Sequence, residues 1–573
     1  MKRWGWLWPV LMVCGVGLSA GLYLGALGWL GGAFGFPLDD AYIHQTYARN
    51  LAEEGRWSYE SGRPSSGSTA PLWTLALTPA YLLGIDHRLW AYVLGAATLA
   101  WLAWLARRMA VRLFGDQTPV TWLAALFCIF EWHLVWAAFS GMETLMFAAL
   151  LLTCLSLYLT FESRHSPHCH CEGSEANPAP SSGDCFVAIA PRNDRQQYSE
   201  DSEASSPCSG DIEGQSHVSP EPTSGGGNRR AVLSGLAMGV CAALLVFTRP
   251  EGLLALGLMA LAFASARVRH GLTRRDALWA ATAALGCLVL LVPYIVFNLR
   301  TGGLVFPSTF YAKQAEYRSM IESLSLPARL GHLLLAVWAG PQLLLVPGFV
   351  FSLVAGLRER RLEVLLLWAW WLCAIGVYAL RLPVAYQHGR YLMPTIPVFV
   401  VLGLWGVWEL VRRLSGARAG WAVGRAWLMA LAAVALLFWA VGGRAYVADV
   451  GFVQGEMGAV AAWLDENVAP HARLAVHDIG LVGYRLRRPF IDLAGLVTPE
   501  VIPFIDDADR LLDFMRAQGV EYIVVFPDWS PAYRRMVSDP RLTLVYDSGY
   551  AWTRAAGHEN LSVYRADWSA MQP

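Results

Sequence analysis

Pro37-Leu38-Asp39-Asp40-Ala41-Tyr42-Ile43 puts two adjacent carboxylates directly behind a long apolar run that begins at Met1 and ends near Leu30. A run of about 20 apolar residues is long enough to cross a bilayer as a helix, and ionised groups so close to hydrocarbon are expensive and need a reason. The stretch therefore reads as the exit of a first membrane span. Lys2 and Arg3 precede that span and no small-residue cleavage site follows it, so an uncleaved anchor is expected rather than a removed signal.

Working outward, similar apolar runs recur along all 573 residues, of which 55% are hydrophobic and only 15% charged. With a mean hydropathy of +0.39, this composition excludes a single soluble domain and predicts a polytopic α-helical membrane protein of about eleven spans. The net charge of zero gives no global field toward nucleic acid, and none is expected as a partner. The 26 tryptophans suit two membrane interfaces. Basic clusters sit on alternate connections: Arg107/Arg108/Arg112, Arg229/Arg230, Arg267/Arg269/Arg274/Arg275, Arg358/Arg360/Arg361 and Arg412/Arg413/Arg418. The positive-inside rule makes these connections and the N-terminus cytoplasmic. The protein is thus expected to be integral to the cytoplasmic membrane, and the opposite connections, with everything after Gly443, face out.

Four segments follow: an N-terminal membrane part, 1–163, whose first outer loop is 36–88; an insert, 164–228; a second membrane part, 229–445; and an extracytoplasmic domain, 446–573. The insert is rich in Ser, Pro, Gly and Glu with almost no apolar periodicity, and reads as disordered. Its His168-Cys169-His170-Cys171 run, even with Cys185 and Cys208, lacks regular metal-ligand spacing. In the last segment Gly458–Val468 and Arg510–Gln518 read as helices, Arg473–His477 and Glu521–Phe526 as strands, hence a small α/β domain. His477-Asp478 reads as a strand-end turn.

Charged residues on the outer connections are the candidates for chemistry. Ala41 to Glu53 has helical periodicity, so one of Asp39 and Asp40 is expected to cap it. That does not account for two. A carboxylate at this depth can accept a proton from an acceptor hydroxyl or orient it. Arg249, Lys313 and Arg390 lie on outer connections beside aromatic residues, against the positive-inside bias, at the level of a lipid phosphate. A guanidinium donates two parallel bonds to phosphate, and lysine adds a point charge. The alternative for each cation taken singly is snorkelling to the interface. Glu143 and Glu251 are expected to pair with these arginines.

The residues carrying these readings also carry a resemblance. Asp39-Asp40-Ala41-Tyr42-Ile43 through Tyr47-Ala48-Arg49-Asn50-Leu51, then Gly67-Ser68-Thr69-Ala70-Pro71-Leu72-Trp73-Thr74, resembles the start of membrane glycosyltransferases of the GT-C fold. The branch is the one that is protein-mannosyltransferase-like and aminoarabinose-transferase-like, with arabinofuranosyltransferase-type members. Ser140-Gly141-Met142-Glu143-Thr144, Thr248-Arg249-Pro250-Glu251-Gly252, Phe310-Tyr311-Ala312-Lys313 and Gly389-Arg390-Tyr391-Leu392-Met393-Pro394 follow in the same order. The resemblance implies transfer of a sugar from a polyprenyl-phosphate donor, at the outer membrane face, to a glycan, lipid or protein acceptor, with inversion. It implies Asp40 as base or acceptor-orienting group with Asp39 as its partner, although the choice between them stays open. Arg249, Lys313 and Arg390 would hold the donor phosphate. Tyr42, Tyr311 and Tyr391, with His388, Glu143 and Glu251, would bound the substrate pocket.

Two adjacent carboxylates make a poor all-protein cage, so no tightly bound metal or cofactor is expected, although some GT-C families use a divalent cation. A transporter or flippase of lipid-linked sugars would also want outward cations, but it predicts midplane polar residues and an internal repeat, and the sequence has neither. An anchored assembly or sensor protein would need one or two spans.

Overall fold

The computed structural model describes residues 7–29, 34–115, 120–163, 224–413 and 417–569. Lys2, Arg3 and residues 164–223 of the expected insert, with its histidines and cysteines, lie outside the described residues. Among the described residues ten helices are long and apolar enough to cross a membrane. The pair Val120–Phe130 and Trp132–Ala138, bent by 55°, makes eleven if it forms one span. The chain is a multi-pass membrane protein. Helix Ser224–Thr248 takes in residues 224–228, read above as insert; hydrogen bonding propagated from the apolar run carries the helix past the change of composition.

Small residues let these helices approach closely. A Cβ added to Gly239 on Ser224–Thr248 would stand 2.1 Å from the Ala283 carbonyl oxygen on Arg274–Gly302, so this pair packs backbone to backbone. The basic connections meet at one end of the bundle. Arg267 binds Glu162 at 2.7 Å and Asp276 at 2.8 Å, and Arg361 donates to the carbonyl of Leu113 at 3.3 Å. Glu162 and Glu143 flank the two ends of the same helix, Thr144–Ser163, roughly 28 Å apart at about 1.5 Å per residue. The charged residues of the opposite connections, Asp40, Arg249, Lys313 and Arg390, gather at the Glu143 end.

There the first loop forms helix Asp40–Glu54, the hairpin of β1 (Ser58–Glu60) and β2 (Arg63–Pro64), and helix Pro71–Leu82. Neither aspartate caps the first of these helices in the expected way. Asp39 precedes it with helical backbone angles, φ −62° and ψ −42°, and its side chain makes no bond to its own helix. The carboxylate instead accepts from the backbone N–H of Gly480, at 2.6 Å, and of Leu481, at 2.7 Å. It thereby satisfies the N-terminus of a helix 441 residues downstream, Ile479–Leu486.

The C-terminal domain holds a five-stranded sheet of β3 (Leu474–Val476), β4 (Phe490–Asp492), β5 (Tyr522–Val525), β6 (Leu542–Asp547) and β7 (Ser562–Ala566), in the order β4-β3-β5-β7-β6. β3 pairs in parallel with β4 and β5, and β7 runs antiparallel to β5 and β6. Helix Ala508–Ala517 packs Leu511, Leu512 and Met515 onto the apolar face of the sheet. The change of composition at Tyr446 falls inside a helix, because Ala417–Val453 runs on through a π turn at Gln454–Gly458 into Ala459–Asn467. Glu456 in that turn is fully buried and accepts from the side chains of Ser548, Thr553 and Asn560 and from the backbone N–H of Leu561. One carboxylate thus ties the last spanning helix to the domain.

Candidate active site

Asp40 opens its helix at the junction of two cavities, one of about 530 Å³ and one of about 810 Å³. Asp40, Lys313 and Arg390 line both. Arg249, Glu143, Glu251, Tyr311 and Tyr391 line the smaller, while Asp39 and His388 line the larger. Tyr42 lines neither. Two residues beyond Asp40 on a helix its side chain points about 200° away, where its hydroxyl bonds the Phe36 N–H and the Gln454 side chain.

The two arginines are buried rather than snorkelled. Arg390 is 3% exposed and Arg249 5%. Arg390 bonds Asp40 and the Tyr391 hydroxyl through one nitrogen, leaving Nε and Nη1 without a partner. Arg249 donates from Nε to Glu143 at 2.8 Å, and its Nη1 has no partner. Unsatisfied guanidinium donors in a buried site are costly, and an anionic ligand in the smaller cavity would satisfy them. Glu143 is also faced by His44 at 3.5 Å. Burial would raise its carboxyl, but Arg249 and His44 hold it below the usual carboxylate range. Glu251 accepts from the Tyr378 hydroxyl at 2.7 Å rather than from an arginine as expected.

The chain before Arg390 is strained. Gln387, His388 and Gly389 all have positive φ, at 53°, 58° and 68°, and such backbone costs on the order of 1–3 kcal/mol for each non-glycine residue. It is held by Asp449 on the last spanning helix, which meets His388 Nε2 at 2.8 Å and accepts from Trp136 Nε1 at 2.8 Å. This turn delivers Arg390 to the wall between the cavities.

Lys313, on helix Ser308–Glu316, donates to Glu316 at 3.1 Å. Glu316 stands 3.6 Å from His477, which bonds Asp478 at 3.0 Å. The residues read as a strand-end turn thus belong to a buried charge chain that runs from the C-terminal domain to Asp40's wall. Burial would lower His477, but Asp478 and Glu316 push it up to about 10. Burial would likewise raise Glu316, which Lys313 and His477 bring down to about 2. For Asp40 the burial effect is outweighed by Arg390 and Lys313, which hold it below the carboxylate range; Asp39 is raised to about 7 by burial and by the charge of Asp478. Two adjacent aspartates therefore have opposite electrostatics. Among the described residues no group of three or more His, Cys, Asp or Glu is arranged to hold a metal ion.

The sequence reading missed Glu316, Asp449 and His44. Only Glu316 had a local signal, its i,i+3 spacing from Lys313.

The solved structures that resemble the chain over its length include those of two proteins. One is ArnT from Cupriavidus metallidurans bound to undecaprenyl phosphate, at a TM-score of 0.53 and 16% identity, covering 100% of each chain. The other is the Archaeoglobus fulgidus oligosaccharyltransferase tethered with an acceptor peptide, at 0.56 and 11%, covering 99% of this chain and 75% of that one. The chain has the GT-C fold. The same archaeal enzyme, AglB, has been solved with an inhibitory peptide and a dolichol-phosphate, at a TM-score of 0.54 and 11% identity, covering 100% of this chain and 75% of that one. Within the GT-C chain, residues 446–570 match a family described as "Domain of unknown function (DUF8728)". No curated protein matches.

Proposed function

We propose that the protein is a glycosyltransferase that moves a sugar from a polyprenyl-phosphate donor to an acceptor at the outer face of the membrane. The observation that carries this reading is the pair of buried arginines, Arg249 and Arg390, with unpartnered guanidinium nitrogens on one cavity that Asp40 also lines. The undecaprenyl phosphate of the ArnT structure and the dolichol-phosphate of the AglB structure support a prenyl phosphate as the ligand. Ile43, Val377, Leu382 and Leu496 on the same cavity suit the prenyl end.

In this reading the donor phosphate lies among Arg249, Lys313 and Arg390. The acceptor oxygen attacks the anomeric carbon, its proton passes to Asp40, and the bond between the anomeric carbon and the phosphate oxygen breaks with its electron pair on the phosphate. The three cations, fixed in a water-poor site before the reaction, stabilise the leaving phosphate. A single displacement inverts the anomeric centre. Asp40 starts as a weak base because Arg390 and Lys313 hold it ionised; a phosphate that draws these cations away makes it more basic as the donor binds. The basic connections then face the cytoplasm and the C-terminal domain lies outside.

The test is transfer by the protein in lipid nanodiscs from a panel of polyprenyl-phosphate sugars, with cell-envelope material as acceptor. Wild type transfers sugar, and Asp40→Asn lowers kcat by about 10²–10⁴-fold while still binding polyprenyl phosphate. EDTA leaves turnover unchanged, because the leaving charge is carried by the three cations. Movement of the donor across vesicles without any transfer would replace this reading with a flippase.

A further inference from the structure

The larger cavity does not end at the C-terminal domain. A third cavity of about 510 Å³ shares Asp449, Phe452, Phe526 and Trp529 with it and continues to Trp552, His558 and Glu559. The two adjoin at these four residues and together reach from Asp40 to Trp552 in the C-terminal domain. Their lining is of a particular kind. The outer compartment is walled by Phe452, Phe526, Trp529 and Trp552, with Asp449, Asp528 and Glu559 among them, and carries no Leu, Ile, Val or Met. Phe452 and Phe526 lie nearly parallel, 10° apart with centroids at 6.1 Å. Trp529 and Trp552 are 42% and 68% exposed, and large aromatic faces left open on a concave surface mark a binding site.

An acyl chain would be met by branched aliphatics, as on the donor cavity, and has no use for carboxylates. A peptide added as a strand would be met by backbone partners on an open sheet edge. A sugar ring has both faces this groove answers: apolar C–H faces that stack on flat aromatic rings, and hydroxyls that donate to carboxylates, which can only accept. The inner compartment adds Tyr317, Tyr386 and Tyr533 beside Asp478 and Asp506, with Met320, Val453, Met457 and Ile505 among them. Near Trp529, the buried His477 Nε2 and Glu316 Oε1 face each other at 3.6 Å, beyond hydrogen-bond length.

We infer that the acceptor is a glycan chain of two or more neutral or amino-bearing sugars, which lies along this groove with its growing end at Asp40 and its distal rings against Trp529 and Trp552. This rests on the glycosyltransferase reading for the role of the Asp40 end, and the binding test below is independent of catalysis. Full-length Asp40→Asn protein in nanodiscs is titrated with neutral and aminated oligosaccharides of increasing length, followed by tryptophan fluorescence and calorimetry. Binding strengthens from one sugar to several; Trp552→Ala weakens it at least tenfold and Trp552→Phe restores most of it. Because Trp552 is exposed, its removal opens no core, and melting temperature reports that the fold is kept. Polyprenyl phosphate is titrated separately as the probe of the donor cavity. Glycan binding that is absent, or that ignores Trp552, overturns the inference, as does capture of phospholipid or peptide in its place. Glycan binding without sugar transfer by wild type from any donor would retain the groove and reject the enzyme.

Discussion

On the Arg249 side of Asp40 the cavity wall carries Ile43, Val377, Leu382 and Leu496 beside Phe310, Tyr311, Tyr378 and Tyr391, whereas on the His477 side it carries Tyr317, Phe526, Trp529 and Tyr533 beside Val453, Met457 and Ile505. The first wall is built mainly by membrane helices and outer loops, the second largely by the C-terminal domain. The difference is one of charge: Arg249 and Arg381 line only the first, which suits an anionic lipid, whereas Asp39, Glu316, Asp449, Asp478 and Asp506 line only the second, which suits a polyol. The contrast means that donor and acceptor chemistry can be altered separately, except at the three residues the cavities share. Substitutions at Arg390, which belongs to both walls, and at Arg249, which belongs to one, test that division.

Arg390→Ala carries the largest expected effect of this pair. It removes the cation that faces both the leaving phosphate and Asp40, so kcat falls by about 10²–10³-fold, in line with the loss of one preorganised charge donor, and both substrate affinities change. Arg249→Ala is expected to weaken donor binding at least tenfold while acceptor binding to the same protein is unchanged. Arg249→Lys recovers only part, since an ammonium cannot reproduce the fork that serves Glu143 and phosphate together. Separate titrations of polyprenyl phosphate and oligosaccharide read the difference. Equal losses of both ligands in the Arg249 variants would break the two-cavity division.

The membrane half of this division was legible in the sequence, and the reason is local. Asp40, Arg249, Lys313 and Arg390 each sit near the end of an apolar run, and the three cations lie on connections that alternate with the basic clusters, where the positive-inside rule makes them exceptions. The outer half was not. His477-Asp478 resembles an ordinary strand end until Glu316, 161 residues earlier in the chain, is brought to 3.6 Å. Asp449 belongs to a helix whose continuation through a π turn no composition signal announces. Tyr42 misled for the opposite reason: adjacency in sequence to Asp40 suggested adjacency in the pocket, and the helical rotation between them sends it elsewhere.

The second half of the division depends on docking of the domain, and Glu456 is where that docking is most concentrated. Glu456→Ala leaves Ser548, Thr553, Asn560 and the Leu561 N–H facing a void, a loss of about 3 kcal/mol if only part of this network rearranges. The expected result is a lower unfolding temperature for the C-terminal domain and a raised KM for acceptor, with polyprenyl phosphate binding retained. Glu456→Gln keeps the shape and an acceptor oxygen, and is expected to fall between. Loss of donor binding in the alanine variant would mean that the membrane half does not stand without the domain.

A purely pH-dependent effect sits at Asp39, which joins the halves without lining the donor side. Its carboxyl is raised to about 7 in the folded protein, first by burial and then by Asp478, despite the two N–H groups it accepts from. Unfolded, it titrates near the ordinary carboxylate value of about 3.9. Between those values the folded state holds a proton that the unfolded state has released, so stability from this group is complete below about pH 4 and is lost as pH rises to about 7. Asp39→Asn removes that slope while keeping one oxygen for the Gly480 or Leu481 N–H. Melting curves from pH 4 to 8 should therefore show wild type losing stability relative to the variant across that window and the two running parallel above it. A difference that is flat with pH would mean that Asp39 stays ionised throughout, with its two N–H partners outweighing burial and the nearby Asp478.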